Sequence, residues 1–234
     1  MTQPKTLPAA ADFATIRDWV FDLDNTLYPH AVDLFSQVDV NMTSYVATLL
    51  QTDRDSARKL QKQYYLEHGT TLQGLMLHHG VDPDDFLEKA HAIDYTGLQP
   101  QPALAAAIKA LPGRKFIFTN GSVKHAQDTA GALGILDHFD DIFDIVAADY
   151  LPKPAVGTYD KFAGLHKIDT GNAVMFEDLP RNLVVPKALG MKTVLLVPEN
   201  EEGTFTEWWE RKGDEDHHID YVTDDLTAFL TALI

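Results

Sequence analysis

The chain has 234 residues, no cysteine, and 35 Asp and Glu against 19 Lys and Arg, for a formal net charge of −16. Disulfides, thiolate nucleophiles and cysteine-held zinc are therefore excluded, and so acidic a surface disfavours nucleic-acid polymers and anionic lipid. Hydrophobic residues at 45% allow a substantial core, but a phosphorylated ligand would need a site made locally positive by a cation or a well-placed Lys.

The N-terminal MTQPKTLPAAADF lacks an apolar signal core. No apolar run approaches the roughly 20 residues of a membrane span. A soluble, cytoplasmic protein is expected, with residues 1–15 as a loose leader rich in Pro and Ala. The first strand is expected at about Asp18–Phe21 and runs into VFDLDNTLY, residues 20–28. Strand residues at i and i+2 share a face, so Asp22 and Asp24 are aimed at one spot. Two like charges that close repel, and burying them is costly.

From about Ala31 to Leu98 the apolar spacing is helical. LFSQVDVNMTSYVATLL, SARKLQKQYYLEHG, LQGLMLHHG and DDFLEKAHAI follow one another, each bounded by Gly, Asp or Pro. About 70 residues are too many for a plain connection. We therefore expect an inserted helical unit at residues 29–98, with residues 1–28 and 99–234 forming one α/β core. After QPQP the chain alternates. PALAAAIKAL, VKHAQDTAGALG and NLVVPKALG read as helices, the last shortened by Pro186. Thr158–Leu165 reads as a short helix. RKFIFT, FDIVAAD, AVMFED and MKTVLLV read as strands, and YVTDDLTAFLTAL closes with a strand and a helix. This alternation predicts the α/β class, with a Rossmann-like parallel sheet covered on both faces.

Sites in such sheets form beyond the carboxyl ends of the strands. Asp22 and Asp24 lie at the first end, Thr119, Asn120 and Gly121 at the second. Lys153 follows the third, in LPKP, and Glu177 and Asp178 lie at the fourth. Acids from two strands suit a hard cation such as Mg²⁺. A hydroxyl, a backbone nest at a helix start and one Lys suit a phosphate.

DLDNT, FTNG, Lys153 in PKP, and FEDLPRN together resemble the four motifs of the haloacid dehalogenase superfamily, in its phosphatase branch. The resemblance runs from about residue 18 to the C-terminus, and the helical insert sits where that family places its cap. TNGSVKHAQDTAGALGI followed by KPAVGTYDKF is most similar to the pyrimidine 5′-nucleotidase group. The resemblance implies a Mg²⁺-dependent phosphomonoesterase acting on small phosphate esters, first among them pyrimidine nucleoside 5′-monophosphates. Asp22 would be the nucleophile, forming an aspartyl-phosphate, and Asp24 the general acid and base. Asp22, Asp178 and the Asp24 backbone carbonyl would hold Mg²⁺. Thr119 and the backbone amides of Asn120 and Gly121 would bind phosphoryl oxygens, and Lys153 would neutralise charge on the phosphate and on Asp22. The insert would close over the site, with hinges near Tyr28-Pro29 and Gly97 to Pro102.

The fourth motif departs from the family pattern. Leu179-Pro180 follow Asp178 where a small residue is usual, and Asn182 stands where a second acid is usual. No metal role is therefore assigned to Asn182. Glu177 either orients a ligand or is a partly exposed acid.

Plainer readings stand beside these. Thr119 could merely cap the helix starting near Ser122, and Lys153 could be a surface Lys. Tyr28, Tyr64 and Tyr65 read first as helix-packing residues and second as substrate contacts. The adjacent pairs His78-His79 and His217-His218 lack metal-ligand spacing. The acidic stretch 199–218 reads as a solvated surface, and Trp208-Trp209 as an apolar patch or a cover for the sheet edge. Alternative functions are a sugar-phosphate phosphatase or phosphomutase of the same superfamily and, in another class, a non-catalytic module that binds a phospho-ligand or a protein. Dehalogenation is disfavoured, because it needs no acid at Asp24.

Overall fold

The structure, a computed structural model, describes residues 8–198 and 216–234. Trp208, Trp209, most of the acidic stretch and the first half of the leader lie outside the described residues. The sheet has six strands, β1 (Asp18–Phe21), β2 (Arg114–Phe118), β3 (Asp141–Phe143), β4 (Ala173–Glu177), β5 (Lys192–Leu196) and β6 (Tyr221–Thr223). Their order is β3-β2-β1-β4-β5-β6, and every pairing is parallel. The expected α/β class holds.

The central strands are apolar on both faces, as a covered parallel sheet requires. All of β1 and β4 is buried. Trp19, Phe21, Ile117, Val174 and Phe176 pack to one side with Phe229, while Val20, Phe116, Phe118 and Met175 pack to the other with Tyr159 and Phe162. Phe21 and Phe176, register partners on β1 and β4, stack with centroids 4.7 Å apart. Each such ring contributes about 1.5–3 kcal/mol by leaving water. This rigid platform lies one residue before the charged strand ends.

Two expectations need correction and a third holds. The leader is not loose throughout, because Ala10–Phe13 forms a 3-10 turn whose Phe13 is buried and stacks on Trp19 at 6.1 Å. The strand read in FDIVAAD, residues 143–149, lies instead at Asp141–Phe143 and shares only Phe143 with that reading. There the Asp144 carboxylate accepts the backbone N–H of Ala147 and of Val123, both at 2.8 Å, and a side chain that captures local amides starts a turn. Pro186 does shorten its helix, which is reduced to Val184–Ala188 behind a 3-10 turn at Pro180–Leu183.

Between β1 and β2 come the four helices of the insert, α1 (Leu34–Leu50), α2 (Arg54–His68), α3 (Thr71–His79) and α4 (Pro83–Ala90). Side chains of Asp53, Thr70 and Asp82 cap the last three. The four share a core of Val38, Val46, Tyr64, Leu72, Leu75, Phe86 and Leu87, which Ile145 joins from the turn after β3. The remaining helices, α5 (Pro102–Ala110), α6 (Val123–Ala132), α7 (Val156–His166), α8 (Val184–Ala188) and α9 (Leu226–Thr231), accompany the strands. Among the described residues no helix is long and apolar enough to cross a membrane.

Gly74 lets α3 meet α2. A Cβ there would lie 2.4 Å from Tyr64 Cγ, and Tyr64 is tethered by its hydroxyl to His79 Nε2 at 2.8 Å. Gly74→Ala is expected to cost about 1–3 kcal/mol through overpacking, outweighing the roughly 1 kcal/mol gain in helix propensity. Urea unfolding measures the balance, and a stabilised variant would contradict this packing.

Candidate active site

The chain leaves β1 to build β2 and β3 on one side, then returns to build β4, β5 and β6 on the other. The order of connection therefore reverses between β1 and β4, where a crevice opens at the carboxyl edge. Asp22 stands there, its N–H extending the ladder to Phe176 O at 2.9 Å. The strand alternation goes no further. Leu23 O accepts from Leu27 N–H at 3.0 Å, and Asn25 takes a left-handed φ of 59°, which Asn tolerates. Asp22 and Asp24 consequently face different partners.

Lys153 is 1% exposed, so the surface-lysine reading fails. Its ammonium donates to Asp22 Oδ1 at 2.7 Å, Glu177 Oε1 at 2.7 Å and Phe118 O at 2.9 Å. One nitrogen thus ties together the ends of β1, β2 and β4. Asn120 fixes it from behind, its side chain accepting Lys153 N–H at 2.8 Å and donating to Lys153 O at 3.2 Å. The Asn120 side chain is thereby committed to Lys153. Thr119 does not cap α6; Ser122 does. Thr119 Oγ1 instead accepts Gly121 N–H at 2.9 Å.

Glu177 is buried rather than partly exposed. Besides Lys153 it accepts Leu179 N–H at 2.8 Å and Asn182 Nδ2 at 2.6 Å. Tyr159 holds Asn182 through its carbonyl at 2.7 Å, and Asn182 Oδ1 is buried without a hydrogen-bond partner. Asp178 is buried too, with His30 Nε2 3.9 Å from Oδ2.

Asp22, Glu177 and Asp178 bring one oxygen each within 4.8 Å of one another. Burial pushes Asp22 up to about 7 despite Lys153, with Glu177 and Asp24 adding to the rise. Burial, then Glu177 and Asp22, drive Asp178 well above the usual carboxylate range. Burial pushes Glu177 the same way, but Lys153 and the hydrogen bonds outweigh it and hold it low. Three carboxylates against one ammonium leave a deficit that a divalent cation would fill, and the all-oxygen donor set suits Mg²⁺.

Asp24 is held apart from that group. Its Oδ1 accepts Tyr28 OH at 2.6 Å and His125 Nε2 at 2.9 Å. Burial would raise its pKa, but the His125 charge and these hydrogen bonds lower it. Tyr28 is part of the buried core, as its packing reading expected, and its hydroxyl in addition bonds Asp24. Tyr64 does pack α2 on α3, and Tyr65 lies 4.4 Å beneath the Arg181 guanidinium.

Sequence reasoning overlooked His125 and His91. His125 follows the Ser122 cap by three residues, which puts it in the first turn of α6, a turn that opens at the end of β2. That placement was a usable signal. His91, just past α4, stacks on His125 with centroids 4.5 Å apart and planes 11° apart. Burial, and then His125, lower His91 to about 4. An unfolded His near 6.5 takes its proton first, so stability is lost as pH falls from 6.5 toward 4. Between pH 7.5 and 5 the wild type should lose about 2 kcal/mol more than His91→Asn, at about 1.4 kcal/mol per pKa unit. Denaturant unfolding at both values checks this, and equal losses would contradict it.

The fold and site define an α/β enzyme with an acid-lined centre at a topological switch point. Residues 19–190 match the haloacid dehalogenase-like hydrolases. The chain belongs to that family, as its four sequence motifs implied. It is 27% identical over 202 residues to phosphate metabolism protein 8 of Saccharomyces cerevisiae, covering 77% of this chain and 61% of that protein. The chain thus spans about three-fifths of that curated relative. Among solved structures it is similar to a HAD phosphatase from Thermococcus onnurineus, with TM-score 0.60, 16% identity and coverage of 93% and 98% of the two chains. It is also similar to L-2-haloacid dehalogenase from Xanthobacter autotrophicus, with TM-score 0.59, 18% identity and coverage of 92% and 97%. At such identities these two likenesses speak for the fold alone.

Proposed function

We propose that this hydrolase is a Mg²⁺-dependent phosphomonoesterase working through an aspartyl-phosphate on Asp22, with pyrimidine nucleoside 5′-monophosphates as its substrates. The observation that carries the chemistry is the separation of the two acids. Asp22 lies against Lys153 and beside Asp178, while Asp24 is held by Tyr28 and His125. A nucleophile needs a charge-neutralising surround, and an acid–base group needs its own, different environment. A dehalogenase has no use for a second, separately held acid, and this favours phosphoryl transfer over the chemistry of the structurally similar dehalogenases.

Asp22 attacks phosphorus, and the P–O bond to the alcohol breaks. The departing oxygen takes the proton that Asp24 acquires when the anionic substrate binds beside it and raises its pKa. Asp24, now ionised, takes a proton from the water that attacks phosphorus and releases phosphate, restoring both carboxyl groups. Lys153 offsets negative charge on the nucleophile and the transferring group. Thr119, whose hydroxyl oxygen is held by the Gly121 amide, and the amide of Asn120 orient the phosphoryl oxygens. Asp22, Asp178 and the Asp24 carbonyl would hold the cation, which supplies further electrostatic stabilisation of that group. Residues 29–98 act as a cap that excludes water during the first step. The name of the yeast relative and the TNGSVKHAQDTAGALGI stretch support a small phosphorylated metabolite as substrate, and the absence of cysteine suits a cytoplasmic setting.

The test is phosphate release from a panel of nucleoside and sugar monophosphates, with Mg²⁺ and with chelator. Preference for UMP, CMP or their deoxy forms, abolished by chelator, is expected. Sugar-directed release would discard the substrate and keep the chemistry. Absence of Mg²⁺-dependent release from every ester would remove both.

A further inference from the structure

We propose that His125 is a positioning residue for Asp24, holding Oδ1 together with Tyr28 so that Oδ2 is the oxygen that gives and takes the proton. The inference rests on the reading of Asp24 as acid and base and extends it to a residue outside the four motifs. Among the described residues, both side-chain donors that reach Asp24 take the same oxygen, Tyr28 OH at 2.6 Å and His125 Nε2 at 2.9 Å. An ionised carboxylate only accepts, so Nε2 must carry a hydrogen. A proton on Oδ1 would have to displace one of these donors; on Oδ2 it displaces neither. The acid is therefore presented with a defined oxygen and rotamer.

His125 is itself fixed. It is fully buried, and its Nδ1 lies 2.9 Å from Tyr95 OH. This bond fixes the ring so that Nε2–H stays aimed at Asp24. His91 stacks on the other face of the arrangement and is held in plane by Ser122 Oγ at 3.1 Å. Gly121 leaves room for the stack, since a Cβ there would lie 3.2 Å from His125 Cδ2 and 3.5 Å from His91 Nε2. Tyr28 precedes the helical insert, and His91 and Tyr95 follow its last helix. Both connections to the insert thus converge on one carboxylate, which ties the aim of the acid to the seating of the insert.

Leaving-group dependence separates this role from a structural one. An alkyl phosphate needs its departing oxygen protonated, whereas p-nitrophenyl phosphate departs unaided. The readout is kcat/KM, which covers the steps through departure of the leaving group only. Asp24→Asn and His125→Ala should lower it by about 10²-fold on an alkyl ester and by much less on p-nitrophenyl phosphate. His125→Gln, whose amide can still donate to Oδ1, should recover most of the loss. Tyr95→Phe should show a smaller loss with the same selectivity, and it keeps the test available if His125→Ala does not fold. Equal losses on both esters in the His125 and Tyr95 variants, with Asp24→Asn selective, would overturn the positioning role alone. Equal losses in Asp24→Asn itself would remove Asp24 as the acid, and this inference with it.

Discussion

Asp22→Asn is expected to lower phosphate release by about 10⁴-fold or more, because removing a nucleophile removes the covalent route altogether. The amide keeps the shape of the carboxylate and can still accept from Lys153, so the surrounding hydrogen bonds survive. What disappears is the charge that attacks phosphorus. The same change relieves crowding, since Asp22, Glu177 and Asp178 bring oxygens within 4.8 Å of one another with Lys153 as the nearby cation. Without divalent cation the variant should therefore unfold at a temperature equal to or above that of the wild type. The two readouts move in opposite directions, which distinguishes a lost nucleophile from a damaged fold. Turnover near the wild-type rate would place the nucleophile elsewhere, and a large drop in unfolding temperature would show that the charge itself supports the structure.

Why Asp22, Thr119, Lys153 and Asp178 were legible in the sequence, while His125, His91 and Tyr95 were not, follows from how each is positioned. Three of the first group sit at or directly after strand ends, and a parallel sheet gathers strand ends at one edge whatever the loops do. Lys153 was legible through its proline-flanked turn, although its burial was not. His125 depends on a finer feature, the cap at Ser122 that sets the rotation of α6. His91 and Tyr95 depend on how the chain leaving α4 passes over α6, a tertiary contact with no periodic trace. β3 was placed too late in the chain for a related reason. DIVAAD has a strand-like composition, and only the capture of two amides by Asp144 ends the ladder. Local patterning thus placed the platform and the charged groups on it. The surroundings that give Asp22 and Asp24 separate environments came from packing between distant segments.

That division has an energetic side. The nucleophile's neighbourhood is held by charge balance and the acid's by hydrogen-bond direction. Tyr28 and His125 are both directional donors, whereas Lys153 is a point charge with three acceptors around one nitrogen. An ammonium matches that arrangement with three tetrahedral N–H groups, and a planar guanidinium spreads its donors over a fork. The difference makes Lys153 the residue whose replacement should affect stability and turnover together.

Lys153→Met, which keeps the stem and removes the charge, is expected to cost about 3–5 kcal/mol in the absence of divalent cation, since breaking a buried ion pair strands its partners. Asp22 and Glu177 would lose donors at 2.7 Å, and Phe118 O one at 2.9 Å. Turnover should fall by about 10²–10³-fold, as on removing a preorganised electrostatic group from a transition state. Lys153→Arg should not restore either property. Mg²⁺ should recover part of the stability of Lys153→Met by supplying positive charge to the same carboxylates, but it cannot replace the three directed hydrogen bonds. Denaturant unfolding with chelator and with Mg²⁺, beside kcat on one phosphate ester, measures all of this. A Lys153→Met protein as stable as the wild type in chelator would show that the three carboxylates do not depend on the lysine for neutralisation. The charge argument for both the cation and the nucleophile would then fall together, because the crowding that makes a cation necessary is the same crowding the lysine partly relieves.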